Sequence, residues 1–193
     1  MKDHGGFEHN LQSLRVIEEL EQKYPSFPGL NLTWETREGL SKHYQFSGAS
    51  DSGSVETFNR PSLEAQVANL ADEIAYYSHD LDDGLDSGLI RESQLRGHVE
   101  LWRMSTERVQ QQYGDLKNES RRYFIIRCII DDMVKDVVHT TETCLRTSGV
   151  NHVSEVRAHK NNLVDYSSAR KRWNAELREY LYLNLFLFLV QLL

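Results

Sequence analysis

All three prolines of this 193-residue chain, Pro25, Pro28 and Pro61, lie before position 62. Proline removes a backbone donor and breaks a helix interior, so the long stretch beyond Pro61 is free to be helical. Apolar residues there recur at three- and four-residue steps. Tyr123, Ile126, Ile130, Met133, Val137, Thr141 and Cys144 form one stripe, which predicts a helix from about Glu119 to Ser148 with Gly149 as its C′ residue. No segment alternates convincingly with period two and no internal repeat is visible, so the expected fold class is all-α.

Shorter segments extend the pattern. Leu11, Leu14, Ile17, Leu20 and Tyr24 predict a helix near 9–24 that Pro25 stops, and Pro25 to Gly29 reads as a turn. Thr33 is a candidate cap for a helix over 33–44 that turns Trp34, Leu40 and Tyr44 inward. Residues 45–60, rich in Ser, Gly and Asp, read as a loop. Ser62 then caps a helix over 62–83 with the seam Leu63, Val67, Leu70, Ile74, Tyr77 and Leu81, and Gly84 is expected to end it. One or two helices over 88–113 are anchored by Leu101, Trp102 and Val109. Residues 150–162 read as polar linker. A last helix starts near Ser167 or Ser168 and runs into an apolar tail at 180–193, too short for the roughly twenty residues that cross a bilayer. The whole chain, 1–193, therefore reads as a single all-helical region.

Composition narrows the class. Hydrophobic residues at 39% and charged residues at 26% describe an ordinary globular protein rather than a disordered one. A net charge of −7 argues against a general nucleic-acid coat, and single-stranded DNA gains no support as a partner. Cys128 and Cys144 stand sixteen residues apart on one predicted helix, about 24 Å, so they cannot pair there and a reduced, cytoplasmic setting is expected. The opening Met1-Lys-Asp-His-Gly-Gly has no apolar core of a signal peptide, and no membrane partner is expected.

The helix over 62–83 carries the candidate chemistry. Asp72, Tyr76 and Asp80 stand four apart and so share one face, with Asn69 and Asp83 on the same side and the apolar seam roughly opposite. Two carboxylates and a phenol suit a metal, a sugar and a nucleobase. The same pattern also describes a plain solvated acidic face.

The run Asp72-Glu-Ile-Ala-Tyr76-Tyr-Ser-His79-Asp80, inside Pro61 to Gly84, resembles a helix of the bacterial dGTPases, deoxynucleoside triphosphate triphosphohydrolases of the HD superfamily. Three further blocks in family order support the resemblance: Gly5-Gly-Phe-Glu-His9-Asn10-Leu-Gln12-Ser13-Leu-Arg15, Gly29-Leu-Asn-Leu-Thr33-Trp-Glu35 and Glu38-Gly-Leu-Ser-Lys42-His43. It covers roughly residues 3–185 and implies the carboxyl-terminal portion of an HD-type helical domain. It further implies Asp72 as a ligand of a divalent metal such as manganese or magnesium, Tyr76 packed on the deoxyribose, and Asp80 accepting from the 3′-hydroxyl. His9 resembles a histidine near the phosphates and is the candidate catalytic residue. The family's other ligands, a His and a His-Asp pair, belong upstream of the Gly5 block. The chain therefore reads as amino-terminally incomplete, with homo-oligomer formation expected of the complete protein.

Two activities follow as alternatives. A complete protein would hydrolyse a deoxynucleoside triphosphate to deoxynucleoside and triphosphate, and this portion alone would be inactive. The other reading is a non-catalytic helical remnant that oligomerises or binds nucleotide. His79-Asp80 is itself a His-Asp dipeptide, but Asp72 and Tyr76 on the same helix place it in the downstream segment. The eight histidines show no HxxxH or HxH spacing, which speaks against an independent metal site. Arg121 and Arg122, with Arg127 nearby, either meet a triphosphate or flank a core helix as solvated arginines, and Lys42-His43 poses the same choice. The ending Leu181-Tyr182 followed by apolar residues departs from the polar and basic ending usual in the family.

Overall fold

A computed structural model describes residues 9–41, 48–49, 55–56 and 60–191. The order is α1 His9–Arg15, a π-helical turn Val16–Leu20, α2 Trp34–Ser41, β1 Gly48–Ala49, β2 Val55–Glu56, α3 Leu63–Asp86, α4 Glu92–His98, α5 Glu100–Tyr113, α6 Asn118–Ser148, α7 Val153–Ala158 and α8 Ser168–Gln191. The fold is all-α. Its only strands among the described residues are β1 and β2, an antiparallel pair of two residues each inside the expected 45–60 loop, in register Gly48 to Glu56 and Ala49 to Val55. Backbone contacts divide the chain into two compact units, Met1–Asn69 with Ser148–Leu163, and Leu70–Thr147 with Val164–Leu193.

The second unit is built on a dry core. Ile74, Tyr77 and Leu81 of α3 pack with Leu95 of α4, Leu101, Trp102 and Val109 of α5, Ile125, Ile129 and Met133 of α6, and Leu177 and Leu181 of α8. Trp102, Leu81, Leu95, Ile125 and Met133 are wholly excluded from solvent. Each such side chain contributes about 1.5–3 kcal/mol by leaving water. The α6 seam is rotated from the expected one: Tyr123 is exposed, and Ile125 and Ile129 take the inward positions beside Ile126 and Met133. Gly149, with φ +67°, follows the last residue of α6, as its composition suggested.

Gly84 does not end α3. The helix continues to Asp86, and the positive φ of 74° falls at Gly88. Gly84 is instead a packing glycine, because a Cβ there would sit 2.6 Å from Ile90 Cδ1.

Polar ties hold the first unit. Regular α1 ends at Arg15, well before Pro25, and loosens into the π-helical turn. The returning chain accounts for this: Leu30 N–H donates to the Ile17 carbonyl at 2.8 Å and Gly29 N–H to the Glu21 carbonyl at 2.9 Å. Gly29, at φ +71°, passes so close that a Cβ would overlap the Ile17 and Glu18 carbonyls. Thr33 caps α2, its Oγ1 accepting from Thr36 N–H at 3.4 Å, although Leu40 is exposed and Tyr44 lies outside the described residues. The 150–162 linker contains α7, where Glu155 accepts from the His152 and Asn151 N–H groups at 3.1 and 2.7 Å. Arg157 of α7 is buried in a bidentate pair with Glu38, at 2.6 and 2.5 Å, and lies 4.7 Å over the Trp34 ring. Gln66 is likewise buried, accepting from Leu163 N–H at 2.8 Å and donating to the Pro61 carbonyl at 2.9 Å.

Candidate functional site

Helix α3 begins where the sequence places it, with the Ser62 hydroxyl accepting from Ala65 N–H at 3.3 Å. Val67, expected in the seam, is half exposed, so the inward face is set from Ile74 onward, by Ile74, Tyr77 and Leu81. Burying those three turns Asp72, Tyr76, Asp80 and Asp83 to the opposite face. Asp72, Tyr76 and Asp80 follow one another about 6 Å apart along the axis, from the 1.5 Å rise per residue. Asp72 and Tyr76 are exposed, and Asp80 is half-buried.

Tyr76 is the electrostatic centre of this face. Its hydroxyl neighbours Tyr182 of α8 and the Asp80 carboxylate, and its phenol is held well above the usual range, first by Tyr182, then by burial and by the Asp80 carboxylate. It is therefore a neutral donor at any physiological pH. Oδ2 of Asp80 is buried and accepts no hydrogen bond among the described residues. A buried carboxylate oxygen without a donor is costly, and an incoming hydroxyl would satisfy it. Beside it the Tyr77 ring meets Tyr76 edge-on at 6.3 Å, its phenol pushed up to about 12 by burial and then by Glu73.

Tyr182 is a neighbour of this face that sequence reading missed. Leu181 is buried and Tyr182 exposed, with Arg178 stacked 5.5 Å over its ring. The stretch 180–193 read as uniformly apolar, and only the two tyrosines at its start hinted at a polar face. Side chains beyond Leu183 lie outside the described residues.

His9 opens α1, exposed, in the first unit. Residues 5–8 of its block, and Lys42-His43, lie outside the described residues. Arg121 and Arg122 follow neither sequence expectation. Arg121 pairs with Glu92 of α4 at 2.5 Å, and Arg122 pairs with Asp86 and, at 3.6 Å, with Asp82 of α3. They tie α6 to its neighbours. Among the described residues no three His, Cys, Asp or Glu side chains come together to hold a metal ion. Asp72 alone offers one exposed carboxylate, so these residues by themselves do not fit a resident cation.

No protein-family model matches the chain. It is similar along nearly its whole length to proteins named deoxyguanosinetriphosphate triphosphohydrolase-like protein. The relative from Geobacter sulfurreducens is 44% identical over 191 residues, 96% of this chain and 49% of that protein. The relative from Thiobacillus denitrificans is 45% identical over 185 residues, 94% and 49%. That from Nitrosomonas europaea is 42% identical over 190 residues, 96% and 50%. The chain spans about half the length of the curated relatives it matches, their carboxyl-terminal portion.

Proposed function

From its homology to the carboxyl-terminal portion of dGTP triphosphohydrolase-like proteins, we propose that this chain carries the sugar-holding helix of a deoxynucleoside triphosphate triphosphohydrolase of the HD type. The reaction is hydrolysis of a dGTP-type nucleotide to deoxynucleoside and triphosphate. The observation that carries the reading is the pair on α3: a neutral Tyr76 phenol beside a buried Asp80 oxygen that accepts no hydrogen bond among the described residues. Tyr76 packs on the deoxyribose, where its ring takes the space of a 2′-hydroxyl, and Asp80 accepts from the 3′-hydroxyl. Asp72, one turn before Tyr76, gives one carboxylate to a divalent cation, manganese or magnesium, whose other ligands come from the half of the relatives that this chain does not match. His9 is assigned a place near the phosphates, and the setting is cytoplasmic.

A second reading applies to the chain on its own. The described residues gather no metal-binding cluster, and this supports a helical unit that binds nucleotide without turning it over.

One experiment separates the two. The chain alone should release no triphosphate from dGTP with manganese. Fused to the unmatched half of the Geobacter sulfurreducens relative, it should. In the fusion Asp72→Ala should lose its bound manganese. Robust turnover by the chain alone, or unchanged manganese content in the Asp72→Ala fusion, would overturn the assignment.

A further inference from the structure

The first turns of α8 carry a buried charge that the site on α3 does not use. Arg170 and Asn174 stand one turn apart on the inward face of α8, 7% and 4% exposed, and Tyr166, just before the helix, is 6% exposed. All three belong to the second unit. Arg170 Nε and Nη1, both polar atoms of the Asn174 amide and the Tyr166 hydroxyl have no hydrogen-bond partner among the described residues. Arg170 Nη2 donates to the Asp132 carbonyl only at 3.5 Å, the outer limit of such a bond. The Trp173 ring lies 5.3 Å from the guanidinium carbon.

The carboxylates nearby are committed elsewhere. Asp132 pairs with Arg108, Asp165 pairs with Lys171, and the two oxygens of Asp136 accept from the Ser167 hydroxyl and N–H at 2.7 and 2.8 Å. Glu73 and Arg170 are both neighbours of Tyr166, yet Glu73 forms no ion pair with Arg170 among the described residues. The Tyr166 phenol is held protonated, first by burial and then by Glu73 and Tyr77, so its hydroxyl can donate. Arginine cannot shed its proton, and a buried charge without a counter-charge is costly. Arg170 also lies in the first turn of a 24-residue helix, where the macrodipole opposes a cation and favours an anion.

We propose that Arg170, Asn174 and Tyr166 form a buried site for one small monovalent inorganic anion of the halide class. The Arg170 Nε–H and Nη1–H groups, the Asn174 amide N–H and the Tyr166 O–H are its donors, and the guanidinium supplies the balancing charge. One guanidinium neutralises one negative charge. A doubly charged anion such as hydrogen phosphate would keep an uncompensated charge next to the Glu73 carboxylate and the unpaired Asn174 Oδ1. A halide accepts hydrogen bonds from any direction, which suits donors that packing fixes on separate turns. Its binding holds the first turns of α8 against α6, where Arg170 meets Asp132. The site is independent of the sugar assignment on α3.

The test follows the thermal midpoint of the full chain while sodium chloride replaces sodium gluconate, whose anion is too large to enter, at constant ionic strength. An anion that binds only the folded chain stabilises it by mass action, so chloride should raise the midpoint by about 3 °C or more, and bromide should act alike. The parent chain should also broaden the chloride NMR line, and bromide should reverse the broadening. Arg170→Met keeps the length of the side chain without its charge and should make the midpoint independent of chloride to within about 1 °C. Tyr166→Phe removes one donor and should need about fivefold more chloride for the same rise, as the loss of one hydrogen bond to a charged group implies. A parent midpoint that does not move on the exchange, an unbroadened chloride line, or the parent's rise retained in Arg170→Met overturns the site. Should Arg170→Met fail to fold, an unchanged chloride requirement in Tyr166→Phe overturns it.

Discussion

The two compact units are held by different forces. In the unit containing α4, α5 and α6, consecutive helices share one apolar core around Trp102, and polar contacts lie at its rim. In the unit containing α1, α2 and α7, buried apolar residues are few among the described residues. Its ties are the Arg157–Glu38 pair, the Gln66–Leu163 bond and the close pass of Gly29 over the π-helical turn, the first two linking residues about a hundred positions apart. A core made by periodic helices announces itself in sequence. A unit tied by single polar contacts across long separations does not.

Three changes test that contrast. The largest effect is expected from Trp102→Ala, which should cost about 3–5 kcal/mol by lost burial and a cavity, read as a lower urea midpoint. A loss below 1 kcal/mol would mean that the core is not where that unit's stability resides. Next is Glu38→Gln, which leaves the buried Arg157 charge uncompensated and should cost about 3 kcal/mol. Local hydrogen exchange in α2 and α7 should report it, and Glu38→Leu with Arg157→Met should recover most of the loss. If the double change is as damaging as the single one, packing rather than charge pairing holds that unit.

The smallest is a pH effect. The Tyr77 phenol is raised from about 10 in the unfolded chain to about 12 by burial and Glu73. Between those values the unfolded chain has released the proton and the folded chain has kept it. Stability therefore falls as pH climbs from about 10 toward about 12, by at most about 1.4 kcal/mol per unit from this group. Tyr77→Phe should flatten the alkaline limb of a melting-temperature profile, and an unchanged slope would remove Tyr77 as its source.

Much of the helical order was legible. The Ser62 cap, the anchors Leu101, Trp102 and Val109, the extent of α6 and its Gly149 terminus follow from caps and periodicity. The misreadings have physical causes. Gly84 looked like a helix stop because glycine often is one, yet it serves the approach of Ile90. Tyr123 looked inward because it fits the three-four pattern, but Ile125 and Ile129 fill the core instead. Arg121 and Arg122 are committed to carboxylates on α4 and α3 that no local pattern reveals. Of the candidate site, the face itself was visible as a four-residue repeat. Its completion by Tyr182 was not, because that contact comes from a helix a hundred residues further along.

The central claim is that the α3 face selects a deoxyribose through Tyr76 and Asp80. Its most direct test is the ratio of kcat/KM for dGTP to that for GTP, measured in the fusion with the unmatched half of the Geobacter sulfurreducens relative. Tyr76→Ala opens space for a 2′-hydroxyl and should lower that ratio by about tenfold or more, as expected when about 1.4 kcal/mol of discrimination is lost. Asp80→Ala removes the 3′-hydroxyl acceptor and should weaken both nucleotides alike while manganese stays bound. A Tyr76→Ala fusion that keeps the parent ratio would contradict the account.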